Sequence, residues 1–195
     1  MMSDSARPFG VAILRGQDSR EALAAAERCL QHGISYIEVA LQSHESLLQI
    51  TALRDTFPTA TVGAGTVVRA AQVAQAQQAG AQFLFAPNLS RAVSTQAIDR
   101  GVPYIPGVAT PSEVAEAEEM GWTLQKMFPA QLLTAEWIKA MHSPLPGPKF
   151  IATGGVDADN AASFLQAGAI GLGLGSCLKD HKQLEDIAAL LREAQ

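Results

Sequence analysis

With 195 residues, a net charge of −5, 48% hydrophobic and 17% charged residues, the chain has the make-up of a globular protein of one domain. No stretch approaches the roughly 18 uninterrupted apolar residues of a membrane span, and no basic run offers a footprint for nucleic acid or an acidic membrane. The polar start, Met1 to Pro8, lacks the apolar run of a secretory signal, so a cytoplasmic location is expected.

Taken in chain order, short apolar runs alternate with Ala- and Glu-rich stretches of helical character, the pattern of successive βα units. The strands are predicted at Gly10 to Leu14, Tyr36 to Leu41, Thr61 to Thr66, Phe83 to Pro87, Tyr104 to Ala109, Leu124 to Phe128, Phe150 to Gly154 and Ala169 to Gly173, each followed by a helix. Helix starts are marked by Asp18-Ser19, by Thr110-Pro111 with Glu113, and by Asp157. Helix ends carry a glycine where a left-handed cap is wanted, at Gly33, Gly80, Gly101, Gly121 and Gly168. The Pro-rich segment 143–148 reads as a rigid link between a helix and a strand, not a domain boundary. Eight such units over residues 1–195 predict a single (β/α)₈ barrel, an α/β TIM barrel. An open doubly wound sheet is the rival, but neither Gly63-Ala64-Gly65 nor Gly171-Leu172-Gly173 completes GxGxxG, and no GK[ST] loop is present.

In such a barrel the site lies at the C-terminal ends of the strands. Of the five lysines, Lys139, Lys179 and Lys182 fall on or near helices and Lys149 begins a strand, on the opposite face; only Lys126 sits inside a strand. The two-residue period of Leu124-Gln125-Lys126-Met127-Phe128 sends Leu124, Lys126 and Phe128 to the barrel interior. Desolvation there favours the neutral amine that a nucleophilic lysine needs; a lysine that snorkels to the rim or pairs with a carboxylate is equally compatible with the position. The same parity along Tyr36 to Gln42 turns Glu38, Ala40 and Gln42 inward. Glu38 reads either as half of a structural ion pair or as a proton shuttle beside Lys126. Arg15, at the end of the first strand, suits bidentate binding of a carboxylate, or is a solvated rim residue.

The last two units end in Thr153-Gly154-Gly155 and Gly173-Leu174-Gly175-Ser176, where exposed amides and the Ser176 hydroxyl would form a phosphate site. Cys29 and Cys177 show no spacing for a disulfide framework or zinc, and His32, His44, His142 and His181 form no ligand cluster.

The runs Ala12-Ile13-Leu14-Arg15-Gly16, Glu38-Val39-Ala40-Leu41-Gln42, Gly63-Ala64-Gly65-Thr66-Val67, Pro106-Gly107, Lys126-Met127-Phe128-Pro129 and Thr153-Gly154-Gly155 together resemble the 2-keto-3-deoxy-6-phosphogluconate / 6-phosphogalactonate aldolase family along nearly the whole chain. The resemblance implies a class I aldolase, a lyase without metal or cofactor and commonly a homotrimer, acting on a phosphorylated sugar acid. In it, Lys126 would form the imine, Glu38 would move protons, and Arg15 and Thr66 would hold the carboxylate. Gln42, Pro87, Phe128, Thr153, Gly154, Gly155, Gly175 and Ser176 complete the substrate-binding positions. The strand-one arginine and the amide at Gln42 are similar to the galactonate branch, and Thr153 to the gluconate branch. Activity on the galactonate epimer is therefore expected, with the gluconate epimer, 4-hydroxy-2-oxoglutarate or both epimers as alternatives. A phosphosugar epimerase or isomerase, a metal-dependent aldolase and a non-catalytic phosphate-ligand binding protein are the competing functions.

Overall fold

The computed structural model describes Met2 and residues 7–194. Its elements run β1 (Phe9–Leu14), α1 (Ser19–Gln31), β2 (Tyr36–Ala40), α2 (Glu45–Thr56), β3 (Thr61–Gly65), α3 (Ala70–Gln78), β4 (Leu84–Phe85), α4 (Arg91–Asp99), β5 (Tyr104–Ile105), β6 (Gly107–Val108), α5 (Pro111–Glu119), β7 (Leu124–Met127), α6 (Ala130–His142), β8 (Lys149–Thr153), α7 (Ala161–Gln166), β9 (Gly171–Leu174) and α8 (His181–Glu193), with a 3₁₀ turn at Ser176–Lys179. Hydrogen bonding gives the order β5-β4-β3-β2-β1-β9-β8-β7-β6, with parallel pairing throughout. The two ends of that order are β5 and β6, consecutive in sequence and separated only by Pro106, so the sheet closes on itself. β5 and β6 occupy one barrel position, interrupted where proline has no N–H to give, and the eight predicted strands become eight staves of a (β/α)₈ barrel.

Strand parity divides the apolar residues into two cores. Phe9, Val11, Phe83, Phe85, Ile105, Leu124 and Ile151 fill the barrel, with Met2 packed among them. The opposite faces, with Ala12, Leu14, Ile37, Val39, Val62, Leu84, Met127, Phe150 and Leu172, pack against the helix ring. Each large apolar side chain so buried contributes about 1.5–3 kcal/mol, against which the few interior polar groups must be set.

The helix punctuation is largely where the sequence marks it. Asp18 accepts from the Glu21 amide at 2.8 Å, Thr110 and Glu113 form a reciprocal capping box, and Gly33, Gly80, Gly101, Gly121 and Gly168 all have positive φ. Asp157 differs from its expectation: its carboxylate accepts from the Asp159 and Asn160 amides and so orders a turn, while Asn160 precedes the helix. Segment 143–148 joins α6 to β8, as expected of a link between a helix and a strand.

Candidate active site

The interior changes character toward the C-terminal ends of the strands. Below lie the rings of Phe9, Phe83 and Phe85; above them the inward positions are Glu38, Gly65, Gly107, Lys126, Thr153 and Gly173. Small residues there leave room for larger polar ones from neighbouring strands. A Cβ added at Gly65 would coincide with the Glu38 carboxyl, and one at Gly173 would meet Thr153. Gly65 has no unusual φ, so it is space and not backbone freedom that demands glycine.

Lys126 is 2% exposed. Its Nζ lies 4.5 Å from the ring centroid of Phe85 and 4.9 Å from that of Phe128, which partly offsets the loss of hydration while the amine carries a charge. Behind it, Glu38 is wholly buried, and neither carboxyl oxygen has a hydrogen-bond partner among the described residues. Burial pushes the Glu38 carboxyl up from the usual carboxylate range, against the opposing pull of Lys126 and then Arg15. Burial likewise pushes Lys126 down; Glu38 opposes this and the Arg15 charge adds to it. Both shifts favour a neutral amine beside a neutral acid, and a proton passed between the two needs no route through bulk water. On the outer face of the same strand, Gln125 is buried and donates to the backbone oxygens of Val114 (3.1 Å) and Trp122 (3.0 Å), tying β7 to α5 and its exit.

Above Lys126 opens a cleft of about 360 Å³ lined by Ile13, Arg15, Gln17, Lys126, Phe128, Thr153, Gly154, Gly155, Gly173, Gly175, Ser176 and Lys179, within the range of small-molecule sites. Gly154 and Gly155 have φ of 98° and 74°. Their carbonyls are turned back, accepting from the Gln131 amide (2.9 Å) and Asn160 Nδ2 (2.8 Å). A Cβ at Gly155 would strike the Gln131 side chain, so only glycine fits this corner. A hollow at the opposite end of the barrel, lined by Tyr36, Phe83, Trp122 and Met2 among others, holds neither cation nor carboxylate among the described residues.

Eight of the residues picked out from sequence, Arg15, Lys126, Phe128, Thr153, Gly154, Gly155, Gly175 and Ser176, thus line one cleft, and Glu38 sits behind its base. Thr66, with φ of 57°, and Pro87 follow β3 and β4 as half-buried residues outside the lining. Gln42 is elsewhere. β2 ends at Ala40, the Gln42 amide donates to the Ala40 oxygen at 2.9 Å, and the exposed residue lies in a separate groove with His44 and Arg69. Phe85, Gln17 and Lys179 are additions. The inward parity of Phe85 on β4 was readable; the reach of Lys179 from a short turn was not. Among the described residues no group of three or more His, Cys, Asp or Glu side chains could hold a metal ion, and no helix is long and apolar enough to cross a membrane.

A family model described as "Aldolase: KDPG and KHG aldolase" matches residues 8–192. The chain belongs to that family. It is similar to the 2-dehydro-3-deoxy-6-phosphogalactonate aldolase of Escherichia coli K12, at 36% identity over 86% of this chain and 83% of that one. Among solved structures it resembles a native KDPGal structure, with a TM-score of 0.88 and 32% identity over 98% of this chain and 97% of that one. It also resembles the KDPG aldolase of Legionella pneumophila, captured with pyruvate as a covalent carbinolamine, with a TM-score of 0.83 and 29% identity over 97% and 95% of the two chains. The protein is accordingly an aldolase, a lyase, on a barrel whose interior carries a lysine and a glutamate.

Proposed function

We propose that this aldolase works by the class I route, cleaving 2-dehydro-3-deoxy-6-phosphogalactonate to pyruvate and glyceraldehyde 3-phosphate through an imine on Lys126. The observation that carries the reading is the Lys126 amine, held between two rings at the base of the cleft with the partnerless Glu38 carboxyl behind it. Neutral Lys126 attacks the C2 carbonyl, and the carbinolamine loses its hydroxyl as water with a proton supplied through Glu38. In the protonated imine that results, Glu38 accepts the C4 hydroxyl proton, the C3–C4 bond breaks, and its electron pair passes into the imine to give an enamine. The aldehyde departs, C3 takes up a proton, and water releases pyruvate and the free amine. The carbinolamine captured on the Legionella pneumophila enzyme supports the first step.

Arg15 at the rim clamps the substrate carboxylate, and the Gly154-Gly155 and Gly175-Ser176 corners receive the phosphate. With Gln42 outside the cleft, the galactonate preference rests on Arg15 and on the galactonate aldolases among the relatives. The Thr153 side chain in the cleft favours cleavage of the gluconate epimer as a second substrate. The working unit in this proposal is a homotrimer, read by sedimentation.

Incubation with pyruvate and borohydride should add a stable mass to Lys126 and abolish activity; modification elsewhere, or none, overturns the imine. Activity should survive chelators. For the epimers, kcat/KM should favour the galactonate form, and Arg15→Ala should cost about 2 kcal/mol or more in kcat/KM. A strong gluconate preference together with a loss below about 1 kcal/mol refutes both the carboxylate clamp and the branch assignment.

A further inference from the structure

We infer that Lys179 is the residue by which this aldolase selects a phosphorylated substrate, its ammonium meeting the terminal phosphate from the 3₁₀ turn that begins at Ser176. The inference rests on the reading of the cleft as a sugar-acid aldolase site. Among the described residues, three cationic side chains line that cleft, Arg15, Lys126 and Lys179, and no acidic one does. Lys126 is spent on the imine and Arg15 on the carboxylate. At the β8–β9 end the remaining donors are the backbone of Gly154, Gly155 and Gly175 and the Ser176 hydroxyl, all neutral. A phosphate monoester carries about −1.5 to −2 charges at neutral pH, so neutral donors alone leave it uncompensated.

Lys179 is exposed on the side of Ser176 and has no carboxylate partner among the described residues. Two neighbouring acids are engaged elsewhere: the carboxylate of Asp180, next in sequence, accepts from the amides of Lys182 and Gln183, and that of Asp157, whose charge is felt at Cys177 in the same turn, accepts from those of Asp159 and Asn160. Lys182, three positions on, is bound to Asp186 at 3.1 Å and lies outside the cleft lining. Two lysines three positions apart, on either side of the extended Asp180, thus differ in the one respect that matters for an anion: only Lys179 combines an ammonium without a carboxylate partner among the described residues with a place beside the glycine corners.

The test compares wild type with Lys179→Gln, Lys179→Arg and Lys182→Gln. It reads the Kd of inorganic phosphate by calorimetry, KM and kcat on the phosphorylated substrate and on its unphosphorylated 2-keto-3-deoxy counterpart, and pyruvate trapping on Lys126. Lys179→Gln should weaken phosphate binding about tenfold and raise KM for the phosphorylated substrate by a similar factor. It should leave the unphosphorylated substrate and the trapping unchanged. Lys179→Arg should restore most of the affinity, and Lys182→Gln should change nothing. An unchanged phosphate Kd in Lys179→Gln overturns the inference, as does an equal loss in Lys182→Gln, which would reduce the effect to net charge. Failure of trapping in wild type would instead remove the imine reading, and the phosphate Kd would still decide on Lys179.

Discussion

Burial acts on Glu38 and Lys126 from opposite sides of neutrality, raising the one and lowering the other, so removing either partner leaves the other worse placed. In Lys126→Met the strongest pull holding the Glu38 carboxyl down is gone, and its folded-state value should rise further. An acid raised in the folded state contributes stability that is fully present below its unfolded value and is lost as pH climbs through the folded value. The Tm of Lys126→Met should therefore fall as pH rises above about 4.5, the ordinary value for Glu38, whereas Lys126→Met with Glu38→Gln should show no such slope. Parallel profiles would mean that burial does not raise the Glu38 carboxyl. In the enzyme itself, Glu38→Gln should keep pyruvate binding and lose about 10² to 10⁴ in kcat, the usual contribution of a proton shuttle. Near-normal turnover would leave Glu38 a structural role only.

The elements place these residues by making room for them, and β3 shows it most plainly. Gly65 leaves the volume that the Glu38 carboxyl occupies from β2. Gly65→Ala should destabilise the fold by about 1–3 kcal/mol through overpacking and cut kcat as deeply as Glu38→Gln. The double variant should lose little more than either alone, because both remove the same carboxyl from its place. Additive losses would show that Gly65 matters for some other reason. Much of this was legible in the sequence: a period of two along β2 and β7 turns Glu38 and Lys126 inward whatever their neighbours, and five glycine caps mark helix ends. Parity failed at Gln42 because it holds only while the strand continues, and the chain turns at Ala40 under a short-range hydrogen bond and a contact to Ser46 Oγ. No local signal announced the break of α6 at Thr134, with φ of 63°, nor the contribution of Lys179, whose place depends on how β9 and its 3₁₀ turn meet β8 across the barrel mouth.

Over the whole molecule, a net charge of −5 coexists with a cleft whose charged lining side chains, among the described residues, are all positive. An anionic substrate should be drawn to that cleft against the general field, so kcat/KM should fall as ionic strength rises, with kcat little changed. Heating should give one cooperative transition, as expected of one barrel domain over residues 1–195; two resolved transitions would refute that reading. The partnerless carboxyl inside the barrel bears on that transition as well. Keeping two ionisable groups out of water costs folding energy whether they are held charged or forced neutral, and replacing a buried pair by apolar groups of similar size can add about 1–4 kcal/mol. Glu38→Leu with Lys126→Met should then melt higher than wild type at neutral pH while having no activity. A library of variants sorted only by survival of heat would fill with such inert barrels, and any programme to toughen this enzyme must keep turnover in the screen from its first round.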